Sequence, residues 1–275
     1  MLRKLMKSDA TFTMGFVLFI GWIVIAAVAN WIAPYDTLAQ NLAIRFQPPT
    51  GAHWFGTDSI GRDILSRVLV GSRISLFAGL TTIALASTFG LIYGGIAGYV
   101  GGIVDDVMMR VSEMVLAFPG IILAMTIAAA LGPSLFNSLL AMVVIWWPNY
   151  ARVMRSMVIA NKNEEYVEAS RSLGASHLRV FFIEILPHSL GPMLVLATLD
   201  FGNAILLFSG LSYLGLGSPP PTPEWGAMVA DGALNFNYWW ISTFPGLAIL
   251  TMAVGANFIG DGLRDLLDPK LRKGM

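Results

Sequence analysis

Few residues of this chain have the type and spacing that catalysis or metal binding requires. The 275 residues include no cysteine, which excludes disulfides, thiolate metal ligands and cysteine nucleophiles. The three histidines, His53, His177 and His188, lie in different segments, so no metal site is predicted from them. No G-x-x-x-x-G-K-[ST] phosphate loop, H-E-x-x-H zinc motif or G-x-S-x-G nucleophile elbow occurs. The sequence therefore predicts a chain that is not an enzyme and that holds no metal.

Acidic residues at two places remain as candidates for function. Asp200 lies near the centre of an apolar segment, where an acid is costly and usually faces a cavity or a partner. We expect it to face such a cavity or a polar group of a partner. The alternative is that a helix starts near Phe201 and leaves Asp200 at its end. The other acids, Glu164, Glu165 and Glu168, lie between two apolar segments.

The composition indicates what kind of structural element carries these acids. Only 12% of the residues are charged and 56% are hydrophobic, whereas soluble domains have about a quarter charged. A soluble surface and intrinsic disorder are both excluded by this low charge. The net charge of zero lacks the basic excess that nucleic-acid binding needs. The sequence therefore predicts an all-α integral membrane protein in a lipid bilayer, with no nucleic-acid partner.

Uncharged segments between the charged residues give the number of membrane spans. A helical span needs roughly 20 apolar residues. Six transmembrane helices are predicted, over 10–35, 74–99, 114–131, 135–151, 190–211 and 238–259. Gly132-Pro133 separates the third span from the fourth. Arg3, Lys4 and Lys7 before the first span resemble the start of a signal peptide, but the apolar run is longer than such peptides have, so we expect a retained helix.

The basic residues predict the orientation of the chain. With the N-terminus inside, 13 of the 17 Lys and Arg residues lie on the cytoplasmic side, as the positive-inside rule requires. The other four, Arg45, Arg62, Arg67 and Arg73, lie in the first external loop. The predicted topology is therefore N-in/C-in.

Two parts of the chain follow from this topology. Residues 1–72 form the first transmembrane helix and an external loop, in which Asp58 to Val70 predicts a short amphipathic helix at the outer interface, capped by Asp58. This helix serves either packing or a rim that docks a partner or guides substrate. Residues 73–275 form a five-helix core with a cytoplasmic loop at 152–188. Gly90, Gly94 and Gly98, followed by Gly102, recur every fourth residue and predict close helix packing, within the chain or against a second subunit.

The cytoplasmic loop 152–188 is longer than a bundle needs, and its sequence predicts ordered structure. Asn161-x-x-Glu164 has the form of a capping box, Gly174 is a typical helix stop, and Ser176 can cap the next helix. We expect a short helix at 164–173 that exposes apolar residues, namely Tyr166, Val167, Ala169 and Leu173. Such a helix can enter a groove on another protein; the alternative is a helix folded back on the bundle.

The same loop carries a motif of a known family. Glu168-Ala169-Ser170, then Gly174, then Leu186-Pro187, with Pro187 thirteen positions after Gly174, resembles the EAA loop of ATP-binding-cassette (ABC) importer permeases. Two positions depart from the pattern: Ser170 replaces an alanine, and Glu184 occupies the isoleucine position.

Further segments narrow the resemblance to the peptide/nickel group of these permeases, of the dipeptide-permease C type. They are His53 to Asp58 with Gly61-Arg62-Asp63, Leu211 to Gly217 with Pro219-Pro220 and Glu224-Trp225-Gly226, and Gly260 to Asp265 with Leu267-Asp268-Pro269. Many members have an acid where this chain has Phe208, so the role of that acid does not transfer.

This resemblance implies a type I ABC importer permease, which forms half of a translocation pathway in a bacterial or archaeal cytoplasmic membrane. Its partners would be a second, different permease, two cytoplasmic ATPases that bind ATP and Mg, and an extracytoplasmic binding protein; this chain would hold no cofactor. The implied substrates are di- or oligopeptides, with nickel or other metal chelates, opines or glutathione as alternatives. A secondary transporter is the alternative from another class. Asp200 would line the translocation path or pair with a polar group of the second permease. The residues implied to contact an ATPase are Glu164, Glu165, Tyr166, Val167, Glu168, Ala169, Ser170, Leu173 and Gly174.

Overall fold

The structure is a computed structural model and describes residues 10–267, which are helical apart from their connecting loops and contain no strand. The helices are α1 (Ala10–Ile32), α2 (Ile64–Val100), α3 (Gly102–Leu116), α4 (Gly120–Leu131), α5 (Leu135–Asn161), α6 (Glu165–Ser172), α7 (His177–Tyr213), α8 (Trp225–Leu234) and α9 (Trp240–Leu267). Within α7, Val180–Ile185 is π-helical. Some of the residues used in the sequence predictions lie outside the described residues. They are the basic residues at 3, 4 and 7, the basic residues beyond 267, and the end of the C-terminal motif at 268–269.

Several of these helices can cross a membrane. Within residues 10–267, four helices (α1, α2, α7 and α9) are long and apolar enough, and the number is five if the bent pair α3 and α4 forms one crossing. Helix α5 has 27 residues, which is long enough, but Asn149, Arg152 and Arg155 make its second half polar. The chain is therefore an all-α, multi-pass membrane protein, while the predicted count of six spans stays a prediction.

The third predicted span, 114–131, is wrong as a single helix. It is divided between α3 and α4, which are bent by 83° at Phe118-Pro119. The physical reason is that proline has no N–H to donate and disfavours helical backbone at the residue before it. The other predicted break is confirmed, since Gly132 ends α4 with a φ of 88°.

The remaining predicted spans coincide with helices whose ends differ from the prediction: α1 ends at Ile32, before Pro34, whereas α2, α5 and α7 are longer than predicted. The fifth, 190–211, lies inside α7, and the sixth begins at Trp240 and continues to Leu267. Because α7 runs uninterrupted through Asp200, the alternative in which this helix starts near Phe201 is wrong. The acid therefore lies in the interior of a membrane helix.

The amphipathic helix predicted from Asp58 is also wrong, because α2 begins only at Ile64 and continues directly into the second span. Asp63 is the N-cap, and its Oδ2 accepts a hydrogen bond from the backbone N–H of Ser66 at 2.8 Å. Asp58 instead shapes the preceding loop, where its Oδ1 accepts from the backbone N–H of Arg62 at 2.9 Å. The first turns of α2 are buried against α8, whose Trp225 donates through Nε1 to the carbonyl of Val68 at 2.9 Å. This segment is thus a packing element of the core.

The glycine series on α2 lies against α5 of the same chain. A Cβ at Gly94 would overlap with the backbone of Ala151, and one at Gly98 would lie 2.8 Å from the carbonyl oxygen of Arg155. Gly90 faces Tyr150 in the same way. Because glycine has no side chain, the backbones of α2 and α5 approach each other closely at these positions. These two helices form the centre of the fold.

Candidate functional site

Helix α6, in the loop between α5 and α7, starts differently from the sequence prediction. Asn161 is the last residue of α5, and its side-chain amide donates to Ser189 Oγ at 3.4 Å. The predicted capping box is wrong, because an N-cap needs extended backbone and Asn161 is helical. Glu164 takes the N-cap position instead, with φ −74° and ψ 147°. Glu165 and Glu168 follow in the first turn, where the helix dipole favours acids.

The end of α6 follows the prediction closely. Gly174 has a φ of 83°, a left-handed conformation that glycine adopts without a steric penalty. The backbone N–H of Ala175 donates to the carbonyl of Ser170 at 3.1 Å, and that of Gly174 donates to Arg171 at 2.9 Å, which is the Schellman pattern. Ser176 caps the next helix by accepting from the backbone N–H of Arg179, as predicted.

One face of α6 points away from the protein. Val167 is fully buried, so the expectation that it is exposed is wrong; helical periodicity turns it towards the bundle. Leu173, at 89% exposed, is a large apolar side chain with no cover within the described chain. The other outward residues of the predicted set are Glu164, Glu165, Tyr166, Glu168, Ala169 and Gly174, with Ser170 half-buried. This outward face, which we call the α6 surface, is acidic with an apolar end.

Side chains connect the α6 surface to two membrane helices. Tyr99, near the end of α2, has its hydroxyl 3.0 Å from Nδ1 of His177, and the Arg171 guanidinium lies over the Tyr99 ring at 5.8 Å. On the other side, the ring of Tyr166 packs 5.5 Å from that of His188. Partial burial and the neighbouring acids raise the pKa of the Tyr166 hydroxyl. A displacement of α6 would therefore move the adjoining ends of α2 and α7.

The three histidines lie in three separate environments. His53 contacts Asp63 at 2.9 Å, between Nδ1 and Oδ1, in the loop between α1 and α2. The ring of His177 contacts that of Tyr99 on α2, and the ring of His188 contacts that of Tyr166 on α6. Within residues 10–267 no three His, Asp or Glu side chains converge in a way that could hold a metal ion.

Asp200 borders a cavity of about 490 Å³ between α5 and α7. Residues around its half-buried carboxyl include Trp146, Tyr150 and Asn203. The same cavity is lined by Asn149 and Arg152 of α5, so an acid and a base from different helices border one space. We call it the α5–α7 cavity.

A second cavity of about 430 Å³ adjoins the first and shares Arg152 and Ser156 with it. Its remaining lining comes from α3 and α5: Asp106, Met109, Arg110, Glu113 and Arg155. The two cavities thus place polar groups along one side of α5.

An ion pair at this cavity was not predicted from the sequence. Arg155 donates to both carboxylate oxygens of the buried Asp105, at 2.5 and 2.6 Å, and so joins α5 to α3. The available signal was the opposite charge of two residues near the cytoplasmic ends of neighbouring spans. The charges alone did not indicate that Asp105 and Arg155 form a pair, because 50 residues separate them in the chain.

Removing this pair is expected to weaken the fold. The Arg155→Ala variant leaves Asp105 buried without its partner, which should cost about 2 kcal/mol, measured by thermal unfolding of the purified protein in detergent. The double variant Asp105→Ala, Arg155→Ala should recover part of the loss. The matched control is Glu113→Ala, which breaks the exposed pair with Arg110 at 3.3 Å and should cost under about 1 kcal/mol. Equal losses in Arg155→Ala and Glu113→Ala would contradict this role.

A third cavity, of about 520 Å³, lies on the side of the predicted external loops and is bordered by Arg62, Arg67 and Asp231. Beside it, the fully buried Glu224 caps α8 by accepting from the backbone N–H groups of Gly226 and Ala227, both at 2.9 Å. Burial raises the pKa of the Glu224 carboxyl, and burial likewise raises that of Asp231, to which Ser59 Oγ donates. The Ser59–Asp231 contact joins α8 to the loop between α1 and α2.

Comparison with known proteins gives consistent matches along the chain. Residues 86–273 match the family described as "binding-protein-dependent transport system inner membrane component", and residues 2–49 match the N-terminal transmembrane domain of oligopeptide transport permease C. A probable D,D-dipeptide transport system permease protein of Escherichia coli is 45% identical over 256 residues, which cover 92% of this chain and 86% of the relative. A dipeptide transport system permease protein of the same organism is 46% identical, covering 97% and 91%. An oligopeptide transport system permease protein of Bacillus subtilis is 41% identical, covering 97% and 88%.

Proposed function

This chain belongs to the family of binding-protein-dependent transport system inner membrane components, and we propose that it forms half of the translocation pathway of an ABC importer for di- or oligopeptides. The α6 surface is the observation that carries this proposal. An exposed leucine and a group of acids, presented on a helix that contacts the ends of α2 and α7, fit a docking element for a motor protein. The names of the relatives favour peptides over the metal chelates, opines and glutathione that the motifs left open.

The proposed topology has six spans with both termini in the cytoplasm. The bent pair α3 and α4 supplies the third crossing and α5 the fourth, whose polar half lies towards the cytoplasm. In this arrangement residues 1–72 provide the first span and the external loop. Residues 73–275 then provide the five-helix core, with the loop 152–188 inside. The membrane is the bacterial or archaeal cytoplasmic membrane.

The proposed complex contains four further proteins. A second, different permease completes the pathway, two cytoplasmic ATPases bind ATP and Mg, and an extracytoplasmic binding protein delivers the peptide. In this complex the α6 surface enters a groove on one ATPase, while the buried Val167 holds the helix on its own chain. Closure of the ATPases would move α6, and the contacts of Arg171 with Tyr99 and of Tyr166 with His188 would pass that movement to α2 and α7.

Reconstitution tests the proposal against a secondary transporter, which would move its substrate alone. The chain is purified with its second permease and ATPases and placed in liposomes with the binding protein outside. Uptake of radiolabelled Ala-Ala is expected only with ATP and Mg inside and only with all subunits present. Liposomes with this chain alone are the control. Ala-Ala uptake by this chain alone, without ATPases, would contradict the proposal.

A further inference from the structure

The α5–α7 cavity has the size and charge of a ligand site. Its volume of about 490 Å³ lies within the roughly 300–1,000 Å³ of small-molecule pockets. Two helices contribute opposite charges to it, Arg152 from α5 and Asp200 from α7, together with the amide of Asn149. The hydroxyl of Ser156 and the apolar side chains of Val153, Met157 and Leu196 complete its lining.

Neither charge in this cavity is neutralised by an ion pair within residues 10–267. Arg152 donates only to Asn149 Oδ1, at 3.2 Å. The groups next to the Asp200 carboxyl, from Trp146, Tyr150 and Asn203, are uncharged. Asp200 is half-buried within a membrane helix, where an acid is costly unless it meets a group of opposite charge, whereas Arg152 is exposed at the mouth of the cavity and free to contact a ligand. The cavity therefore suits a ligand that carries one positive and one negative group.

We propose that the α5–α7 cavity is a transit site for the two charged ends of a zwitterionic peptide. This inference rests on the proposed function and specifies where the pathway holds its substrate. Asp200 accepts hydrogen bonds from the peptide ammonium, and the planar guanidinium of Arg152 donates to the peptide carboxylate. The apolar wall at Leu196 accepts varied side chains without selecting among them.

The neighbouring cavity gives this site an exit. Arg152 and Ser156 border both cavities, so a peptide carboxylate held by Arg152 can pass on towards Arg110 without leaving polar surroundings. A pathway needs binding that is weak enough for release, and successive polar groups along one side of α5 meet that need.

Protection of an introduced cysteine tests the site directly, because the natural chain has no cysteine. Leu196→Cys is placed in the assembled permease–ATPase complex in detergent, without the binding protein, and its alkylation by a small maleimide is counted on this chain after gel separation. Ala-Ala is expected to slow the alkylation in a saturable way. The matched control is Ala39→Cys in the first external loop, which Ala-Ala should not protect.

Peptides with one blocked end identify which charged residue of the cavity contacts which end of the peptide. Asp200→Asn should raise the half-protecting concentration of Ala-Ala about tenfold, the loss expected for one charge-assisted hydrogen bond. N-acetyl-Ala-Ala, which lacks the ammonium, should be about tenfold weaker than Ala-Ala and unaffected by Asp200→Asn. Ala-Ala amide, which lacks the carboxylate, should likewise be about tenfold weaker than Ala-Ala and unaffected by Arg152→Gln.

Several results would overturn the site. The site is refuted if free and blocked peptides protect the cysteine equally, or if Ala-Ala gives no protection. It is also refuted if Leu196→Cys is not alkylated even without peptide, because the second permease would then fill the cavity. Uptake of Ala-Ala by the complete reconstituted complex is measured in parallel. Normal uptake with no protection refutes this site alone, whereas absent uptake refutes the proposed function.

Discussion

Charge reversal at Glu168 is expected to abolish ATP-driven peptide uptake while the chain still inserts in the membrane. Glu168 is exposed on the α6 surface, so lysine there leaves the fold intact and changes only what a partner meets. Reversing a charge in the centre of a docking surface costs about 2–4 kcal/mol, which corresponds to a loss of affinity of roughly 30- to 1,000-fold. The measurements are co-purification of the ATPases and uptake of labelled Ala-Ala by reconstituted complex.

Two further variants separate docking from folding. Leu173→Asp removes the exposed apolar end of the same surface and should give the same loss of ATPase. Asp36→Lys makes the charge change of Glu168→Lys at an exposed acid of the first external loop and should retain uptake. Normal ATPase recovery and uptake in both Glu168→Lys and Leu173→Asp would refute the assignment of the α6 surface.

A single methyl group at Gly94 is expected to prevent the chain from accumulating as a folded protein. The Cβ of Gly94→Ala would overlap with the backbone of Ala151, and backbone cannot turn aside as a side-chain end can. Separating α2 from α5 disturbs the centre of the fold, so we expect a loss of at least about 3 kcal/mol. That is a large part of the roughly 5–15 kcal/mol by which proteins are stable.

Membrane-inserted yield and thermal unfolding in detergent measure this effect. Gly21→Ala in α1 is the matched control, since it makes the same change in a membrane helix where nothing lies within 4 Å of the new Cβ. It should be neutral or slightly stabilising, because alanine favours a helix over glycine. If both variants had the same yield and unfolding temperature, the close approach of α2 and α5 at Gly94 would not matter for stability.

The sequence by itself determined the features that depend on composition and on neighbouring residues. Low charge and long apolar runs require helices in a bilayer, because a spanning chain must satisfy its backbone hydrogen bonds internally. The stop at Gly174 and the cap at Ser176 were predictable for a similar reason, since a left-handed φ and a cap depend on a few consecutive residues. The spacing from Glu168 to Pro187 was enough to indicate the family.

Only the tertiary structure decided which neighbours these elements meet. The extension of α5 through Asn161 and the choice of Asp63 rather than Asp58 as the cap of α2 depend on how helices and loops pack, so local signals misplaced both. The inward turn of Val167 follows from the rotation of α6 against the bundle, which no local pattern fixes. Asp200 was a lone acid in the sequence, and its place in one cavity with Arg152 required two helices far apart in the chain to pack together. Pairings of this kind depend on long-range contacts, and residue order alone does not specify them.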